Sequence, residues 1–218
     1  MNRPARALVL DFDGTVADSH AYTFGGIRDA AGPWAPDLAD AAIHAQFGPP
    51  ERVILSRWVP AADLDAAYAR LQRYYLEHAC DVRPHPRLRL LLEAARAAGI
   101  RCSLFTGRAA DSTAMLLRAL EFEPLFESVL AGDAPFRPKP APDGVLELAR
   151  RMAQRVEDVL VVGDSPLDIA AAHAAGARAA FAAWFPLTFV SAPAGVTALT
   201  QPDDLRPLLG LPPIGRGA

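Results

Sequence analysis

Two carboxylates, Asp11 and Asp13, stand two residues apart at the end of the apolar run Ala7–Leu10, and Gly14 and Thr15 follow at once. In an extended chain, residues two apart point the same way, so both acids are expected to face one site. Like charges held this close repel unless a cation or a proton lies between them. Oxygen ligands favour a hard cation such as Mg²⁺. Taken alone, Asp-Phe-Asp-Gly reads equally well as a turn, because Asp and Gly are turn formers. Other groups decide between the two readings. Asp11, Asp13 and Asp164 offer oxygens to Mg²⁺, Lys139 offers an ammonium, and the Thr106 hydroxyl and Gly107 amide can donate to an anion. A divalent cation, one ammonium and amide donors describe a phosphoryl site, where catalysis is positioning plus charge neutralisation. A carboxylate can be the nucleophile there, and a second acid can protonate a leaving alcohol and then activate water.

Lys139 stands out by composition. The 218-residue chain has 22 basic residues, and Lys139 is its only lysine. A chain so biased towards Arg that keeps one Lys points to a position where a compact ammonium serves and a planar guanidinium does not. Chance drift of a single residue is the competing explanation.

The elements that must position these groups follow from hydrophobic periodicity. Ala7–Leu10 and residues 159–162 are uniformly apolar, as in strands buried on both faces, and residues 100–105 form a second candidate strand halted by Thr106-Gly107-Arg108. Residues 128–130 form a weaker strand and residues 177–181 a fifth. Between them, Leu88, Leu91, Leu92 and Ala95 keep helical spacing, with Gly99 where a C-cap belongs. Further helices are expected over residues 111–120, from the proline-rich loop 133–142 to about residue 154, and through Asp168 to Ala175, ending at Gly176. A short helix lies near Asp204–Leu209. Strands alternating with helices predict an α/β fold, a parallel sheet covered on both faces. Three strands end in chemistry, at Asp11 and Asp13, at Thr106 and at Asp164, along the edge where open α/β sheets bind ligands.

From about His20 to Asp81 the pattern changes. Leu64, Ala67, Tyr68, Leu71 and Tyr75 recur at helical spacing, and five prolines from Pro33 to Pro60 punctuate the segment into about four short helices. No strand is expected there. The segment reads as an inserted α-helical cap domain, residues 18–82, on a core of residues 1–17 and 83–218, with Pro84-His85-Pro86 as a stiff hinge.

Composition narrows the alternatives. Net charge is −3, so nothing points to a nucleic-acid or anionic-membrane surface. No apolar stretch approaches the roughly 20 residues that span a bilayer, and the run behind the basic residues of 1–6 is too short for a signal peptide. Cys80 and Cys102 match no metal or redox spacing and are expected to be packed thiols. A cytoplasmic location is the expectation.

Four motifs in order then carry a resemblance. Asp11-Phe12-Asp13-Gly14-Thr15-Val16, Leu104-Phe105-Thr106-Gly107, Lys139 in Lys-Pro-Ala-Pro-Asp, and Gly163-Asp164-Ser165-Pro166-Leu167-Asp168-Ile169 cover nearly the whole chain. The chain resembles the haloacid dehalogenase superfamily, and within it the phosphoglycolate-phosphatase-like hydrolases with a helical cap. The resemblance implies a Rossmann-like three-layer α/β/α core and a Mg²⁺-dependent phosphatase acting on a small phosphomonoester, phosphoglycolate-like or a sugar phosphate. It implies Asp11 as nucleophile and metal ligand, and Asp13 as general acid/base with its backbone carbonyl on the metal. Thr106, Gly107 and Lys139 would hold the phosphoryl group, with Lys139 also pairing with Asp11. Asp164 would complete the metal site, and Asp168 would orient its neighbours.

Each assignment has a plainer competitor. Thr106 reads also as a helix N-cap, and Asp168 as an acid favoured at the start of its own helix. Asp18 and Ser19 read as holding the turn into the helical segment, and Arg108 as a solvated charge outside the site. His44, Gln46, Phe47 and Arg52 flank Gly48-Pro49-Pro50, which resembles the cap loop that enters the site in related enzymes; His44 and Arg52 read also as surface residues. At the level of function, a β-phosphoglucomutase-like sugar-phosphate mutase needs the same two acids. A non-catalytic phosphate-binding module is the reading from another class. A dehalogenase or phosphonatase has no use for Asp13, and the cap lysine of phosphonatase chemistry is absent.

Overall fold

The structure is a computed structural model and describes residues 3–186 and 191–214. Of the regions read from sequence, residues 1–2, 187–190 and 215–218 lie outside the described residues.

The first strand, β1 (Ala7–Leu10), has no exposed side chain. A two-residue strand β2 (Ala17–Asp18) follows, then four helices in succession: α1 (His20–Ala31), α2 (Asp40–His44), α3 (Glu51–Leu55) and α4 (Leu64–His78). A second short strand, β3 (Arg83–Pro84), pairs antiparallel with β2. The chain then alternates through α5 (Pro86–Ala97), β4 (Arg101–Phe105), α6 (Ala110–Ala119), β5 (Ser128–Leu130), α7 (Asp143–Arg151), β6 (Val159–Gly163), α8 (Pro166–Ala175), β7 (Arg178–Ala182), β8 (Ala198–Leu199) and α9 (Arg206–Leu209).

Six strands form one sheet in the order β5-β4-β1-β6-β7-β8, every pairing parallel. The register sets Leu8 beside Cys102 and Leu160, and Leu10 beside Leu104 and Val162. Alternation along the strands sends Leu8, Leu10, Cys102, Leu104, Leu160 and Val162 into one apolar cluster, with Leu88, Leu91 and Leu92 of α5 and Leu116 of α6. Ala7, Val9, Phe105, Val159 and Val161 enter the other, with Val145 and Leu148 of α7 and Ala171 of α8. The result is three layers, helix on sheet on helix. Burying each Leu or Val contributes about 1.5–3 kcal/mol, and the two central strands β1 and β6 accordingly read as unbroken apolar runs.

Helix α8 begins with a capping box, the Ser165 hydroxyl accepting from the Leu167 amide and the Asp168 carboxylate accepting from the Ser165 amide. It ends at Gly176, whose φ is +81°. Helices α1 and α4 pack together, with the Tyr22 and Tyr75 rings stacked 4.5 Å apart, and the Tyr22 hydroxyl donating 2.9 Å to the Tyr75 carbonyl. Their cores merge with the α5–α6 side of the sheet through Phe12, Val16, Ile27 and Leu71.

The four short helices, five of the parallel strands and the helices between them follow the sequence pattern within a few residues. The ribbon β2–β3 and strand β8 do not. Each has two residues, too few to show a period of two. Pro84, read as part of a hinge, is a ribbon residue, and His85 caps α5 by accepting from the Arg87 amide at 3.3 Å. Cys102 is buried, which pushes its thiol up to about 12, whereas Cys80, expected to be packed, is exposed at the end of α4. Among the described residues no helix is long and apolar enough to cross a membrane.

Candidate functional site

The carboxyl ends of β1, β4 and β6 converge on a cavity of about 200 Å³. Its floor is Asp11, Asp13, Gly107, Lys139, Asp164 and Asp168; its wall is His20, His44, Phe47, Gly48, Pro49 and Glu51, with Ile54 and Leu167.

Asp11 follows β1 directly and accepts from the Lys139 ammonium at 2.7 Å. Lys139 also donates to Asp168 at 2.5 Å and to the Phe105 carbonyl at 3.0 Å. An ammonium has three donors, and all three are used here. Burial would lower the Lys139 pKa, but Asp11 and Asp168 outweigh it and hold it above the ordinary ammonium value. Burial raises Asp11 to about 7, with Lys139 opposing and Asp168 and Asp13 adding to the rise. Asp164 is raised well above the usual carboxylate range by burial and then by Asp11, Asp168 and Asp13.

Asp11, Asp164 and Asp168 bring one oxygen each to within 4.8 Å of one another. Buried carboxylates repelling each other in this way are a fitting donor set for a hard divalent cation. The backbone is shaped to the cluster: Gly14 has φ +70°, and a Cβ there would collide with the Asp164 carboxylate. Asp168 joins this group through Lys139 while also capping α8, so both sequence readings of it describe contacts that exist.

Thr106 is buried, and its hydroxyl oxygen accepts from the Arg108 amide at 3.1 Å. It does not line this cavity but a smaller one beside it, whose lining includes Gly107 and Lys139; both of these also reach the main cavity. A Cβ on Gly107 would collide with the Gly48 carbonyl, so the loop before α3 sits directly on the turn after β4.

Arg108 corrects the sequence reading. It is not a solvated charge: its side chain is 1% exposed. Its Nη2 donates to Asp13 at 2.8 Å and to the Thr23 hydroxyl at 2.5 Å, its Nε to Asp13 at 3.3 Å, and its Nη1 to Glu51 at 2.9 Å. Phe12, Tyr22 and Tyr75 place ring faces 5.1 to 5.9 Å from the guanidinium. Glu51 also accepts from the Ala109 amide at 2.8 Å and the Ser112 hydroxyl at 2.7 Å. Burial pushes the Glu51 carboxyl up, and Arg108 opposes it. Burial alone would raise Asp13; Arg108 and the Ser19 hydroxyl, at 2.6 Å, outweigh it and hold Asp13 below the ordinary carboxylate value. Ser19 therefore touches a site carboxylate and does more than hold a turn.

The wall is built largely of rings. His20 and Phe47 are stacked with centroids 5.9 Å apart, Phe24 and Phe47 lie at 5.5 Å, and His44 and Phe47 at 5.4 Å. The His20 Nε2 lies 3.7 Å from Asp164. Burial and then His20 hold His44 below the ordinary imidazole value. Of the four residues flanking Gly48-Pro49-Pro50, His44 and Phe47 reach the cavity. Gln46 and Arg52 do not; Arg52 pairs with Asp65 on the surface and lies over the Tyr68 ring. Sequence reasoning missed Glu51, Thr23, His20 and Leu167. The Arg108–Glu51 pair spans 57 residues in the chain, and no local pattern marks it.

The family model for haloacid dehalogenase-like hydrolase matches residues 8–182. A phosphoglycolate phosphatase from Nitrosospira multiformis is 32% identical over 201 residues, covering 80% of this chain and 82% of that one. A phosphoglycolate phosphatase from Aquifex aeolicus is 24% identical over 213 residues, covering 94% and 96%. The crystal structure of CbbY from Rhodobacter sphaeroides in complex with phosphate superposes with a TM-score of 0.80 at 20% identity, over 95% of this chain and all of that one, and shares the fold.

Proposed function

The chain belongs to the haloacid dehalogenase-like hydrolases, and we propose that it is a Mg²⁺-dependent phosphatase that hydrolyses a small-molecule phosphomonoester through an aspartyl-phosphate intermediate. The observation that carries this reading is Lys139, whose ammonium is seated between Asp11, Asp168 and the Phe105 carbonyl on the cavity floor. It places a fixed positive charge beside a carboxylate at the end of β1, where a phosphoryl group needs both a nucleophile and neutralisation.

A carboxylate oxygen of Asp11 attacks phosphorus, and the phosphorus–oxygen bond to the leaving group breaks. The departing oxygen takes a proton from Asp13. Water then attacks the aspartyl-phosphate and returns a proton to Asp13, which frees Asp11 and inorganic phosphate. Arg108 and Ser19 hold the Asp13 carboxyl in place through hydrogen bonds to both of its oxygens. The Thr106 hydroxyl and Gly107 amide, with Lys139, would hold the phosphoryl oxygens.

Asp11, Asp164 and the Asp13 backbone carbonyl would hold the Mg²⁺, with Asp168 acting through Lys139 and Ser165. Once bound, the ion would offset negative charge on the phosphoryl oxygens. Residues 18–82 would act as a cap on a core of residues 1–17 and 83–218, closing His44, Phe47 and Glu51 over the floor to exclude water. A cavity of about 200 Å³ is small against the roughly 300–1,000 Å³ of drug-sized ligand sites, which favours a small ester. The names of the relatives make phosphoglycolate the first ester to try.

The test is release of inorganic phosphate from a panel of small monoesters, with and without Mg²⁺, with Asp11→Asn as control. Release that needs Mg²⁺ and vanishes in the variant is expected. Release that persists in Asp11→Asn would remove the nucleophile from this scheme.

A further inference from the structure

Resting on the reading of the cavity as a phosphomonoester site, we propose that it selects esters whose leaving group is a flat uncharged ring and turns away those that carry a second anion.

The cations of the site are already committed. Lys139 spends its three donors on Asp11, Asp168 and the Phe105 carbonyl. Arg108 is buried and bridges Asp13, Glu51 and Thr23, with a carboxylate on each of two edges. His20 has Asp164 at 3.7 Å, and His44 is held towards the neutral ring by burial and by His20. Among the described residues lining the cavity, the Lys139 ammonium and the Arg108 guanidinium each already have two carboxylate partners. A phosphoryl group can still displace part of the Lys139 shell, since it replaces one anionic partner with another at the floor. A carboxylate at the far end of a substrate finds no such exchange. It would enter a cavity whose five acids, Asp11, Asp13, Glu51, Asp164 and Asp168, still exceed the combined charge of Arg108, Lys139 and a divalent cation held by Asp11 and Asp164, and repulsion of that kind sets specificity as firmly as attraction.

The space beyond the floor is shaped for a ring. The His20, His44 and Phe47 rings line the cavity, with Phe47 5.4 Å from His44 and 5.9 Å from His20, Phe24 packs against Phe47 without reaching the cavity, and Pro49, Ile54 and Leu167 complete an apolar surround. Aromatic faces at these separations are the usual partners of another ring in stacked or tilted contact. The volume of about 200 Å³ is small against the roughly 300–1,000 Å³ of drug-sized ligand sites, which suits a phosphoryl group with one ring. The preference departs from the acidic ester in the relatives' names.

The direct test is calorimetric titration of the Mg²⁺-loaded protein with two non-hydrolysable probes, benzylphosphonate and phosphonoacetate, which share a phosphonate on a CH₂ and differ in ring against carboxylate. Benzylphosphonate should bind tighter by at least about tenfold. Equal binding, or tighter binding of phosphonoacetate, would overturn the proposal. Phe47→Ala should shrink the ratio by weakening benzylphosphonate, and Glu51→Gln should shrink it by releasing one edge of Arg108 to phosphonoacetate. Where Glu51→Gln fails to fold, the unsubstituted protein and Phe47→Ala decide. Binding is read separately from turnover. If benzylphosphonate binds with the expected preference and no ester releases phosphate, the hydrolytic reading fails and the recognition stands.

Discussion

The floor and the wall of the cavity are made by different means. The floor is set by strand ends: β1, β4 and β6 are neighbours in one parallel sheet, so Asp11, Gly107 and Asp164 arrive together because the apolar runs before them pair in register. The wall is set by tertiary contact: His44, Phe47 and Glu51 come from short helices and loops whose positions depend on packing against α1 and on a single buried guanidinium. The difference separates chemistry from choice. On the proposed reading, groups placed by the sheet are those a phosphoryl reaction requires, while those placed by the helices would vary with the substrate.

The comparison breaks first at the floor. Asp11→Asn should reduce phosphate release to background while the far-ultraviolet circular dichroism is unchanged. Asp13→Asn should cost about 10²–10⁴-fold in kcat, the usual worth of a general acid–base group, read from steady-state rates. Lys139→Arg should cost about 10²-fold, the size of a displacement of about 1 Å in a reacting group, because a planar fork does not fit among three acceptors arranged for an ammonium.

At the join between floor and wall, the effect should fall on stability as well as rate. Arg108→Ala leaves Asp13 and Glu51 without their cation, and breaking a buried pair in this way costs about 3–5 kcal/mol. At about 2–4 °C per kcal/mol for a chain of this size, Tm should drop by roughly 10 °C, which differential scanning calorimetry would show. The same pair gives a pH signature. The folded-state pKa of Asp13 is depressed, so its contribution to stability is complete above the ordinary value of 3.8 and is lost as the pH falls through the lower folded value. Asp13→Asn should therefore flatten the acid limb of the stability curve. The smallest effect is expected outside the wall, where Arg52→Ala should change stability by less than about 0.5 kcal/mol and leave kcat/KM unaltered.

Much of the fold was legible because it rests on local pattern. Leu8 and Leu10, Leu104, Leu160 and Val162 announce strands buried on both faces, and Gly176 ends α8 where a left-handed residue is needed. Asp11, Asp13 and Asp164 stood out by their place at strand ends, and Lys139, in the loop between β5 and α7, by being the only lysine. Arg108 was not. A charged residue one step past Thr106-Gly107 normally faces water, and its burial depends on Glu51, Thr23 and three aromatic rings contributed from four other segments. Arg52 shows the opposite case: it stands near the loop that enters the cavity, yet helix α3 turns it outward to Asp65. Direction on a five-residue helix is set by packing that no short window of sequence contains.

The ribbon of β2 and β3 has a consequence for how this architecture can change. Ala17 pairs with Pro84 and Asp18 with Arg83, so the chain departs and returns at one point. Seen from the sheet, everything between is a single closed excursion with its ends already fastened. The entropy of closing such an excursion grows only with the logarithm of its length, about 0.6 kcal/mol for each doubling. Helices can therefore be lengthened, exchanged or rebuilt between those two anchor pairs while the strand register beneath stays as it is, provided the contacts of Glu51 and Thr23 to Arg108 are kept.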